Sequence, residues 1–109
     1  MASLFAECGV LACIPEDEAS PEEVLRAAAR LAARLGVPLG VVHVSPVRGR
    51  AEPDSVRADA RARRFGAASW HLRSDAPAAS LRAFARRCRA VHVVLGPAGR
   101  KTWGGEPYP

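Results

Sequence analysis

Residues 8–15 read Cys-Gly-Val-Leu-Ala-Cys-Ile-Pro, and residues 20–23 shortly after them read Ser-Pro-Glu-Glu. The apolar run from Cys8 to Ile14, ended by Pro15 and the acids Glu16, Asp17 and Glu18, is the pattern of a short strand buried on both faces. Ser20 then stands as an N-cap, Pro21 at the first helical position and Glu23 three residues after the cap, the arrangement of a capping box. A doubly buried strand feeding an explicitly started helix is the opening of a βαβ unit.

Along that helix Val24, Ala28, Leu31 and Leu35 recur at three- and four-residue steps, while Arg26, Arg30 and Arg34 make a separate stripe. Glu22 lies four residues before Arg26, a favourable surface pair. Gly36 supplies the left-handed residue that closes the helix. A second buried run, Leu39 to Val44 (Leu-Gly-Val-Val-His-Val), predicts the next strand. After a loop with Pro46, Gly49 and Pro53 comes a weaker helix over 54–65, carrying Val56, Ala60 and Phe65 against arginines at 57, 61, 63 and 64. Ser69-Trp70-His71-Leu72 alternates polar with large apolar residues, as an edge strand does. Asp75 is placed to cap a third helix whose inward stripe is Leu81, Phe84, Ala85 and Cys88. Val91 to Leu95 predicts a fourth strand, and Gly96 to Pro109 carries no element signal.

Four buried-run strands alternating with three helices predict an α/β domain: a doubly wound parallel sheet, strand order 3-2-1-4, helices on both faces and right-handed crossovers. In such sheets ligands bind beyond the carboxyl ends of the strands, where the winding reverses. That directs attention to the turns after Ile14 and Leu95. The composition agrees with one small domain, residues 1–99, followed by a tail over 100–109. The chain has 109 residues, 49% of them apolar, enough for one core and one modest pocket but not for a large composite active site. The net charge of +5 is sixteen cations, fifteen of them arginine, against eleven acids, in a chain with twenty-two alanines and neither Asn nor Gln. That bias reads as a solvated arginine coat, and no aromatic interleaving or recognition helix accompanies it, so a nucleic-acid partner is not expected. Three cysteines without paired spacing speak for a reducing compartment. The start lacks a basic region and an uninterrupted apolar stretch, so a cytoplasmic location and no membrane contact are expected.

The opening strand, the capped helix ending Leu35-Gly36, the Val41-Val42-His43-Val44 strand and the fourth strand running into Gly96-Pro97-Ala98-Gly99 resemble the universal stress protein (UspA-like) family over about Val10 to Gly99. More narrowly, Arg30-Leu31-Ala32-Ala33-Arg34-Leu35-Gly36, Phe65-Gly66-Ala67, Ser74-Asp75 and Arg100-Lys101-Thr102-Trp103 look like the stress-protein module of KdpD-type potassium sensor histidine kinases. The resemblance implies a fold of adenine-nucleotide alpha-hydrolase-like topology and a regulatory role with a kinase or signalling partner. It also implies ATP or another nucleotide as ligand. Gly96 and Gly99 fall on the family's Gly-x-x-Gly, where backbone N–H groups can approach a triphosphate. Val44 falls where the family contacts adenine, and Arg100 and Lys101 stand beside the glycine pair. Two departures accompany these matches. Pro15 replaces the acid with which ATP-binding members end their first strand. The family's continuation to a Gly-Ser or Gly-Thr, a further helix and a fifth strand is expected to be missing.

The remaining candidates carry less. His43, His71 and His92 sit on three separate strands, so no metal cluster is expected of them. Cys8, Cys13 and Cys88 fall on apolar faces with no adjacent base. Ser20 and Ser74 are accounted for by helix starts. No catalytic residue and no enzymatic activity are expected. The alternative to a sensing module is a structural interaction domain with a vestigial nucleotide site. Without a fifth strand the Val91–Leu95 edge is bare, and a bare edge invites a homodimer.

Overall fold

A computed structural model of the chain describes residues 8–16, 18–47 and 52–96. Seven elements follow one another: β1 (Val10–Pro15), α1 (Pro21–Leu35), β2 (Leu39–Ser45), α2 (Glu52–Arg64), β3 (Ala68–Arg73), α3 (Pro77–Arg87) and β4 (His92–Leu95). The strands form one sheet in the order β3-β2-β1-β4. Every pairing is parallel, with Val10 opposite both Leu39 and His92, and Gly40 opposite Ala68. This is the doubly wound topology that the alternation of buried runs and helices predicts.

The two-residue period of β1 divides its side chains between two cores. Val10, Ala12 and Ile14 pack with Leu39 and Val41 of β2, with Val24, Leu25, Ala28 and Ala32 of α1, and with Ala62 of α2. Leu11 and Cys13 turn the other way, joining Val42, Val44, Cys8 and the Leu81, Phe84, Ala85 and Cys88 stripe of α3. So α1 and α2 cover one face of the sheet and α3 the other. Central β1 is buried along its whole length, which is why its sequence shows an unbroken apolar run rather than alternation.

Local details depart from the sequence reading at several helix ends. The side chain of Ser20 makes no capping hydrogen bond; its backbone N–H donates instead to Glu18 Oε2 at 3.3 Å, which turns the chain into α1. Glu22 pairs across to Arg64 of α2 at 3.0 Å rather than along its own helix to Arg26. The buried stripe of α1 runs through Val24, Leu25, Ala28 and Ala32, and Leu35 is 45% exposed. Asp75 does not cap α3, whose N-cap is Ala76; its Oδ1 accepts the Val47 N–H at 3.4 Å, while Ser74 Oγ accepts the Ala76 N–H at 3.0 Å. Gly36 ends α1 at φ 67° and Gly66 follows α2 at φ 70°, the left-handed conformation in which a Cβ would crowd the backbone.

Candidate functional site

Parallel strands leave their last carbonyls and side chains at one end of the sheet, and a cleft of about 230 Å³ opens there over β1 and β2. Its floor is Ile14 and Pro15 of β1 with His43, Val44 and Ser45 of β2. One wall is Glu16, Glu18 and Pro21, leading from β1 into α1; the other is Arg57, Ala58 and Arg61 of α2 with His71 of β3. The cleft is therefore polarised, carboxylates on one side and cationic or imidazole groups on the other.

Two histidines meet in it. Pairing of β2 with β3 sets His43 directly opposite His71, and their rings stack with centroids 4.8 Å apart and planes 18° from parallel. His43 Nδ1 faces the Trp70 carbonyl at 3.4 Å, so in the neutral ring Nδ1–H donates and Nε2 keeps its lone pair; Nε2 is enclosed and has no partner among the described residues. Burial, then the neighbouring His71, push the His43 pKa down from 6.5 to about 4, against the pull of the Trp70 carbonyl. His71 Nε2 lies 2.9 Å from Asp59 Oδ1, which also accepts the Ser69 hydroxyl at 2.8 Å. The bond from His71, followed by that from Ser69, holds the Asp59 carboxyl below its ordinary value. His43 and His71 thus lie on separate strands, as the sequence suggests, and register brings this pair together. Among the described residues no group of three or more His, Cys, Asp and Glu could hold a metal ion.

Of the site residues expected from the sequence, Pro15 and Val44 line the cleft. The Val44 side chain belongs to the α3-side core, and its carbonyl accepts the Glu16 N–H at 2.9 Å, so what Val44 presents is a backbone strand end. Gly96 follows β4 and is buried. A side chain there would run into Glu18 Oε1 and Val24 Cγ2, so this glycine serves a close approach and not a left-handed turn. Glu18 Oε1 is enclosed and unpartnered among the described residues. The turns after Ile14 and Leu95 are neighbours, as the pairing of Cys13 with Leu95 requires. Gly99, Arg100 and Lys101 lie outside the described residues. Glu18, Arg57, Arg61 and the stacked histidines escaped the sequence reading. His43 and His71 each stand third from the end of their strands, an offset that would have paired them.

Taken together, the parallel sheet and the cleft at its carboxyl end define a doubly wound α/β domain. No protein-family model matches the sequence, and no curated protein matches it. Among solved structures the fold is that of the universal stress proteins. The universal stress protein from Archaeoglobus fulgidus superposes with a TM-score of 0.59 at 23% identity, covering 92% of this chain and 88% of that one. A universal stress protein family member from Burkholderia pseudomallei gives 0.59 at 22%, covering 84% and 83%. The Archaeoglobus protein in complex with dAMP gives 0.62 at 22%, covering 95% and 93%. Among the described residues no helix is long and apolar enough to cross a membrane.

Proposed function

We propose that this chain is a non-enzymatic regulatory module of universal stress protein type that binds an adenine nucleotide, or a comparable small anion, in the cleft over β1 and β2. The observation that carries this reading is the cleft itself. It sits beyond the carboxyl ends of parallel strands and is floored by Pro15 and Val44, in a fold shared with a stress protein solved with dAMP. At about 230 Å³ it lies below the roughly 300–1,000 Å³ of drug-sized ligand pockets, so it suits a base- or nucleoside-sized group rather than a dinucleotide. Among the described residues no serine or cysteine is hydrogen-bonded to His43 or His71, the nucleophile–base contact that covalent catalysis needs; His43 is enclosed at Nε2, and His71 Nε2 is engaged by Asp59. Resemblance to the KdpD module points to the cytoplasmic sensing part of a potassium-responsive kinase as the setting, with the kinase as partner. Thermal-shift and calorimetric titration with ATP, AMP, cyclic dinucleotides and phosphate tests the ligand. A rise in melting temperature with one nucleotide supports the reading, and no response to any of them removes it. Potassium-transport genes beside the coding sequence would support the kinase setting.

A second reading is favoured by one specific feature. Among the described residues β4 pairs with β1 alone, and the adjoining Val91 is 70% exposed; a second copy adding its edge here would pair with the other side of β4. Sedimentation at micromolar concentration decides it, because a monomer contradicts edge-to-edge assembly.

A further inference from the structure

Arg57 and Arg61 stand one helical turn apart on α2, so their side chains share a face, and both line the cleft. Neither has a hydrogen-bond or ion-pair partner among the described residues. The nearby carboxylate of Asp59 is already engaged by Ser69 and His71. Across the cleft the situation is reversed. Glu16 and Glu18 form the opposite wall, and Glu18 reaches the glycine that follows β4, its Oε1 lying with Val24 Cγ2 where a Cβ on Gly96 would stand. A phosphate approaching from the Gly96 side meets a carboxylate first, whereas one approaching α2 meets two guanidinium groups, whose planar forks match phosphate oxygens.

Resting on the nucleotide reading above, we infer that the phosphate of a bound mononucleotide lies against Arg57 and Arg61 of α2, with its base toward the Pro15–Val44 floor. The ligand then runs across β1 and β2 toward α2 rather than toward β4. The cleft is thereby selective for a nucleoside carrying phosphate, since the phosphate supplies Arg57 and Arg61 with a strong acceptor that they lack among the described residues.

Calorimetric titration of AMP and of adenosine into the full chain tests this, using the wild type, the double variant Arg57→Gln/Arg61→Gln and the double variant Arg100→Gln/Lys101→Gln. Circular dichroism shows that each variant is folded. AMP is expected to bind the wild type at least about tenfold more tightly than adenosine, the scale of charge-assisted hydrogen bonds to one phosphate. That preference should vanish in Arg57→Gln/Arg61→Gln, with adenosine affinity kept, and persist in Arg100→Gln/Lys101→Gln. A preference that survives loss of Arg57 and Arg61, or that disappears with Arg100 and Lys101 instead, overturns the inference while leaving nucleotide binding intact, as does equal affinity for AMP and adenosine. Binding of neither ligand removes the functional reading and the inference with it.

Discussion

Acidification should destabilise this domain through His43. The imidazole lies between β2, β3 and α2, with the His71 ring stacked on it and Arg61 adding a repelling charge; its folded pKa is about 4 against 6.5 for a free histidine. The unfolded chain therefore takes up a proton that the folded one refuses. The stability associated with a neutral His43 is complete above pH 6.5, falls as the pH drops below that value and is fully lost once the pH has passed below 4. A depression of this size, at 1.36 kcal/mol per unit, corresponds to about 3 kcal/mol, a large share of the roughly 5–15 kcal/mol that holds a small domain together. Asp59, whose carboxyl is held below 3.8, loses its contribution only at lower pH, so the two effects separate along the axis. Urea unfolding at pH 7, 5.5 and 4.5 measures the decline, and His43→Phe, which keeps a flat ring against His71, should flatten it. A variant with the wild-type slope, or a His43 resonance titrating near 6.5 in the folded protein, would refute the reasoning.

Two glycines separate steric from conformational demands. Gly9→Ala sets a Cβ against Val37 Cβ and both its methyls, a stiff branched side chain that cannot swing away, and should cost about 1–3 kcal/mol of unfolding free energy. Gly36→Ala meets nothing within 4 Å but forces a side chain to φ 67°, for about 1–2 kcal/mol; equal stability to the wild type in denaturant titration would contradict either figure. Arg64→Ala removes the 3.0 Å pair with Glu22, whose side chains are 66% and 52% exposed, and should change the melting midpoint hardly at all, because exposed pairs contribute no more than about 1 kcal/mol.

The strands and helices were legible because each carries its own local signal. The apolar run of Cys8 to Ile14 could only be buried on both sides, and Gly36 could only end a helix. What the sequence did not reveal arises between elements. Ser20 has the residue type of a cap, yet the backbone at its position turns its N–H toward Glu18. Asp75 has the type too, yet it is drawn to Val47 from a different loop. The meeting of His43 and His71 depends on strand register, which side-chain alternation leaves open by any even number of residues. The polarised cleft depends in turn on which face of α2 looks at the sheet. Val56, the largest aliphatic residue on that helix, is 75% exposed, and the small Ala58 and Ala62 face inward instead. Alanine periodicity in an alanine-rich chain is a faint signal, and without it Arg57 and Arg61 are indistinguishable in the sequence from the arginines of the surface coat.

Cys8, Cys13 and Cys88 all sit in the α3-side core, unlinked. Burial raises the pKa of each, that of Cys8 to about 12. A thiol so placed reacts only when the layer above it lifts away. The molecule therefore carries its own clock. The pace at which an alkylating reagent consumes these three sulfurs counts the excursions of α3 from the sheet, with no probe added, and a ligand that steadies only the opposite face should leave that pace unchanged.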